Sequence, residues 1–66
     1  MIRLEFDRHN PALWCELGIA MHALREHRRA LDAFDNALAL QPGMEEARIG
    51  RAVVRASLEL RQVPAC

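Results

Sequence analysis

The chain contains no lysine: all nine of its basic residues are arginine, and nine acidic residues balance them to a formal net charge of zero. A neutral chain lacks the positive excess that draws proteins non-specifically to nucleic acid or anionic lipid, so neither polymer is an expected partner. Exclusive use of arginine is the habit of a GC-rich bacterial genome, which sets the expected source. Cysteine is scarce as well. Cys15 and Cys66 lie far apart, without a CxxC or any metal-type neighbours, which excludes a disulfide framework and leaves two free thiols as the expectation. Residues Met1 to Asn10 carry no apolar run of the kind a secretory leader needs, and no stretch reaches the ~20 apolar residues of a membrane span. A cytoplasmic protein without a membrane partner is expected.

What is present is an ordinary globular mixture, 52% hydrophobic and 27% charged, which argues for a folded chain. At 66 residues it forms one domain at most, near the size at which burial alone leaves a small stability margin.

Punctuation is sparse. Asn10-Pro11 opens one segment, Pro42-Gly43 precedes another, and Pro64 stands before the end. Asn10 suits the cap of a helix and Pro11 its first position, where the missing N–H costs nothing. From there Leu13, Trp14, Leu17, Gly18, Met21 and Leu24 recur at steps of three and four, one face of an α-helix. No Gly, Pro, Asn, Asp or Ser falls between Ile19 and Leu31, so a single helix from Pro11 to Leu40 has to be weighed. Phase argues against it. At about 100° per residue, with Trp14 at zero, Leu17, Gly18 and Met21 cluster near roughly 340°, whereas Ala30, Phe34, Ala37 and Leu38 cluster near roughly 200°. A turn around Arg25 to Arg28 lets the two stripes face each other.

Pro42 ends the second helix. Glu45 and Glu46 then complement the positive end of a third helix, predicted over residues 45–62. That helix carries two apolar rows, Ala47, Val54 and Leu58 on one side and Ile49, Val53, Ala56 and Leu60 on another, with Arg48, Arg51, Arg55 and Glu59 between them. Residues 1–10 alternate Ile2, Leu4 and Phe6 with Arg3, Glu5 and Asp7, the period of a half-buried strand or an extended arm.

Helix, turn and helix together resemble the 34-residue tetratricopeptide repeat (TPR), W-x2-L-G-x2-Y, then A-x3-F, then P. The residues that carry the resemblance are Trp14, Leu17, Gly18, Met21, Ala30, Phe34, Ala37 and Pro42, and only Met21 departs, where the family prefers Tyr. The spacing also has a physical sense: Gly18 and Ala30 let backbones approach while Trp14, Leu17 and Phe34 interlock across the hairpin. The resemblance implies an all-α fold, a TPR-like helix-turn-helix hairpin followed by a third helix. Residues 11–44 are then one complete repeat, 45–62 a C-terminal capping helix and 63–66 a tail. Residues 4–10 also look like the end of a preceding second helix of a repeat, with Arg8 where the family has Pro, so residues 1–10 are either an arm or such a remnant. Arg25 stands at the family's usual turn Gly. Arg48, Arg51 and Arg55 occupy the Trp, Leu and Tyr positions of a next repeat, which implies a polar capping helix with a solvated arginine face, the alternative being a stripe that binds phosphate or an acidic peptide.

No catalytic constellation emerges from His9, His22, His27, Cys15 and the scattered carboxylates. His22 and Glu26 share a helix face and Cys15 lies two turns earlier, but they make no full zinc set. Neither enzyme activity nor a cofactor is expected. TPR modules that clamp a C-terminal carboxylate use Lys, Asn and Arg on the concave face. Here Cys15, Glu16, Ile19, Glu46 and Gly50 correspond, so that function does not carry over. The groove positions are mostly apolar: Cys15, Ile19, His22, Ile49, Val53, Ala56 and Leu60. They read as a seat for a helix or peptide of a protein partner, or for the chain's own Ile2, Leu4 and Phe6. The function expected is therefore a protein-interaction module, with a self-associating helical protein, a homodimer without a separate ligand, as the alternative.

Overall fold

The computed structural model describes residues 7–62, with side chains through residue 60. Three helices account for most of it, α1 (Pro11–Ala23), α2 (His27–Leu40) and α3 (Glu45–Gln62), and there is no strand among the described residues. The fold is all-α, a helical hairpin followed by a third helix.

Each boundary has a local cause. Asn10 is extended (φ −102°, ψ 104°) and its side-chain oxygen accepts from the Ala12 N–H at 3.0 Å, with Pro11 opening the helix behind it. Upstream, Asp7 to Asn10 form a turn: Asn10 N–H donates to the Asp7 carbonyl (3.2 Å) and His9 N–H to Asp7 Oδ1 (3.0 Å). The Trp14 indole Nε1–H donates to the Arg8 carbonyl at 2.9 Å, tying that turn to α1. Ile2, Leu4 and Phe6 lie outside the described residues.

The turn of the hairpin comes at Leu24 to Glu26, slightly ahead of the stretch expected. Glu26 N–H donates to the Met21 carbonyl (2.8 Å) and Arg25 N–H to the His22 carbonyl (3.0 Å), the paired bonds of a Schellman ending. That ending needs a left-handed residue, and Arg25 supplies it with φ 65°. Leu24, capping α1 at φ −86°, points away from the helix stripe in which its spacing put it, and is 71% exposed. Glu26 caps α2 without a side-chain hydrogen bond. At the far end Gln41 is extended (φ −142°, ψ 88°), as a residue before proline prefers, and Met44 N–H returns to the Gln41 carbonyl at 3.1 Å before α3 begins.

The three helices lie so that α2 packs against both α1 and α3, while α1 and α3 meet only slightly. The core is made of small residues around one ring: Cys15, Ala30, Ala33, Phe34, Ala37, Ala47 and Val54 are buried. Trp14, Met21, Leu31, Leu38, Met44 and Leu58 close over it. Phe34 projects from α2 onto two glycines. A Cβ at Gly18 would fall 2.8 Å from ring atoms Cε1 and Cζ, and one at Gly50 would fall 2.5 Å from Cζ. The closest approach at Gly18 is thus to the Phe34 ring of α2. Gly50, expected in the groove, instead completes the seat of the same ring.

Candidate interaction surface

On α3 the two apolar rows part company. Ala47 and Val54 are buried and Leu58 packs at the core's edge, whereas Ile49, Val53, Ala56 and Leu60 are exposed. The open row falls at steps of four, three and four, which keeps it on one face of the helix. Its large members are far from sheltered: Ile49 is 60%, Val53 47% and Leu60 75% exposed. On α1, Ile19 is 56% exposed. Gly18 and Gly50 both face the Phe34 ring, so their neighbours Ile19 and Ile49 stand on the flanks of that junction.

Cys15 does not belong to this surface. It is 1% exposed, inside the core with Ala30, Phe34 and Ala47. The sequence could not orient it, because α1 (PALWCELGIAMHA) has only Glu16 and His22 as polar residues and so no polar side from which an inner side could be inferred. Burial pushes the Cys15 thiol above its ordinary range, and the charges of Glu46 and then Glu16 push it further.

The arginine row of α3 is less uniformly solvated than expected. Arg51 Nε reaches Asp35 Oδ1 of α2 at 3.0 Å, an ion pair that ties the third helix to the second. Arg48 pairs within its own helix with Glu45 at 3.1 Å. Arg55 lines a depression of about 290 Å³ with Arg28, Leu31, Asp32, Leu58 and Glu59. Two guanidiniums and two carboxylates line it, so it presents no field of one sign to a phosphate or an acidic peptide.

At the other edge, His22, half-buried near the end of α1, meets His27 at the start of α2. Their Nδ1 atoms are 3.3 Å apart, with ring centroids 5.2 Å apart and planes inclined at 54°. The two rings, with Ala23, Arg25, Ser57 and Leu60, line a depression of about 370 Å³. Two predicted surface residues from different helices, His22 and Leu60, thus share one site. Sequence spacing had paired His22 with Glu26 and missed His27, because five residues along one helix would put the two rings on different faces. Only the chain reversal at Arg25 brings them together. No group of three or more His, Cys, Asp or Glu side chains among the described residues could hold a metal ion. No helix among them is long and apolar enough to cross a membrane.

Compared with known proteins, the chain matches no family model, and neither a curated protein nor a solved structure shows significant similarity to it.

Proposed function

We propose that this chain is a protein-interaction module of the TPR type, which receives an amphipathic helix or apolar peptide of a partner on α3 and the adjoining flank of α1. The observation that carries the reading is the open row Ile49, Val53, Ala56 and Leu60, one helix face with large apolar side chains in water beside a separate buried row. Single exposed apolar residues are ordinary, but four aligned on one face, with Ile19 exposed nearby, are the anchor pattern that a helix-in-groove partner uses. The repeat-like spacing from Trp14 to Pro42 supports the same assignment.

The test is a comparison of the chain with its Ile49→Glu/Val53→Glu form as baits. A protein held stoichiometrically by the first and lost from the second, and then bound directly when purified, supports the proposal. Equal retention by both baits sinks it.

A second reading, self-association, rests on α1. Its Ala12, Ile19, Ala20 and Ala23 are exposed on a helix with almost no polar residues. A second copy could bury that face, and closed two-fold pairs are the commonest arrangement. Sedimentation across a hundredfold dilution separates the two readings. A concentration-dependent dimer that Ile19→Glu dissociates favours the second, and a monomer throughout removes it.

A further inference from the structure

We propose that the partner segment received on this face is a basic amphipathic helix, whose lysine or arginine seats between Glu16 and Glu46 while its apolar residues meet Ile19, Ile49 and Val53. This partner chemistry rests on the interaction-module reading and adds the sign of the partner's charge to it. The direction of two helices comes first. Cys15 shares the core with Ala47, Gly18 and Gly50 meet the same Phe34 ring, and His22 lines one depression with Ser57 and Leu60. Matched pairs in rising order make α1 and α3 parallel neighbours. On each helix a glutamate stands one turn before an isoleucine, Glu16 before Ile19 and Glu46 before Ile49, and all four are exposed. On α3 that glutamate extends the open row, since positions 46, 49, 53, 56 and 60 fall at steps of three and four. Both walls of the face are thus acidic at the same end and apolar beyond it.

Elsewhere Glu26 pairs with Arg29, Glu45 with Arg48 and Asp35 with Arg51, whereas Glu16 and Glu46 make no ion pair among the described residues. Glu46, in the first turn of α3, complements the positive end of its helix. Glu16 lies beyond the first turn of α1, where no such role accounts for it. The two carboxylates act on one point between the helices: burial first, then Glu46 across the junction and Glu16 beside it, raise the Cys15 thiol. A cation brought between them gains from both, and a further carboxylate there meets like charge. At the opposite end of the face Arg25 lines the depression with Leu60, so the two ends differ in sign and a partner helix fits better in one direction than in the other. The row from position 46 to position 60 spans about 21 Å, about four turns of such a helix.

The probes are leucine–glutamine amphipathic helices of ~15 residues, with lysines in the first turn, lysines in the last turn, or glutamates in either place, read by fluorescence anisotropy against the full chain. One lysine peptide should bind saturably, tighter than the other lysine peptide and both glutamate peptides. An exposed ion pair changes an equilibrium by ~1.4–5-fold, so Glu16→Gln/Glu46→Gln should weaken that peptide by ~2–25-fold. Asp32→Asn/Glu59→Gln removes as much charge from the α2–α3 depression and should leave the affinity unchanged. Glu16→Lys/Glu46→Lys should turn the preference toward glutamate. Ile49→Ser/Val53→Ser should weaken every peptide, which reports the apolar seat apart from the charge. If lysine and glutamate peptides bind alike and only Ile49→Ser/Val53→Ser weakens them, the seat stands and the partner chemistry falls. If no peptide binds, or none responds to Ile49→Ser/Val53→Ser, both fall. The proposal is also overturned by an equal loss in Asp32→Asn/Glu59→Gln or by a preference that survives Glu16→Gln/Glu46→Gln. Binding that appears only in Leu4→Glu/Phe6→Glu would put the chain's own segment on the face, and a dimer that no peptide displaces would put a second copy there; either overturns it too.

Discussion

The Phe34 ring fills the space a side chain at position 50 would need: a Cβ on Gly50 would lie 2.5 Å from its Cζ, well inside ordinary contact. The ring is 1% exposed and cannot swing into solvent to make room. Gly50→Ala is therefore expected to destabilise the fold. Overpacking costs ~1–3 kcal/mol, against which alanine regains about 1 kcal/mol over glycine in a helix. A net loss of roughly 1 kcal/mol shifts the melt of so small a domain downward by ~4–8 °C. Trimming the ring with Phe34→Leu should make the Gly50→Ala change cheaper than it is in the parent, a positive coupling of ~0.5 kcal/mol or more. A higher melting temperature for Gly50→Ala would show that the seat has room.

Arg25 is the one non-glycine residue with positive φ among those described. A left-handed L-residue costs ~1–2 kcal/mol, and glycine there gives back ~0.5–1 kcal/mol through its freer unfolded chain. Arg25→Gly should thus stabilise the hairpin by about 0.5–1 kcal/mol, and Arg25→Val should destabilise it, because a β-branched side chain tolerates that region worst. Urea midpoints in the opposite order would contradict the turn geometry.

The Arg51–Asp35 pair joins α3 to α2 across a largely solvated gap, with side chains 43% and 52% exposed. Exposed pairs contribute ~0.2–1 kcal/mol and are screened by salt. Asp35→Asn should cost about that much in dilute buffer, and the difference should vanish near 1 M NaCl, where the Debye length is about 3 Å. A cost that survives high salt would mean the contact acts through packing.

Cys15 makes alkaline stability simple to assign. The chain has neither lysine nor tyrosine, so well above neutrality and below the arginine range its titrating side chains are the two thiols. Burial first, then Glu46 and Glu16, hold the folded Cys15 thiol above the unfolded one. Above about pH 9 the unfolded chain gives up a proton that the folded chain keeps. The unfolded state then binds fewer protons, so stability falls as pH rises and levels off beyond the folded value. Cys15→Ala should flatten that fall in urea midpoints measured from pH 7 to 10, at the cost of a small cavity. A slope that persists in Cys15→Ala would assign it elsewhere.

The sequence was most legible where structure is decided locally. The Asn10-Pro11 start follows from one side-chain oxygen and one missing N–H, and the two rows of α3 follow from strong alternation of arginine and apolar residues. The phase break between Met21 and Ala30 sufficed to predict a hairpin. It could not place the turn to the residue, because the usual marker is glycine and the left-handed site is filled by arginine. Cys15 was misplaced because α1 has no polar side to orient it. Gly50 and His27 were missed for a shared reason: their meanings come from residues on other helices, Phe34 and His22, and no periodicity within one element encodes such a meeting.

The order of packing, α1 on α2 and α2 on α3 with little between the outer two, also bears on time. Nearly every helix contact joins segments that are neighbours in the chain, so closing one helix onto the next requires only a short loop. Helical chains with such local contacts fold in microseconds to milliseconds.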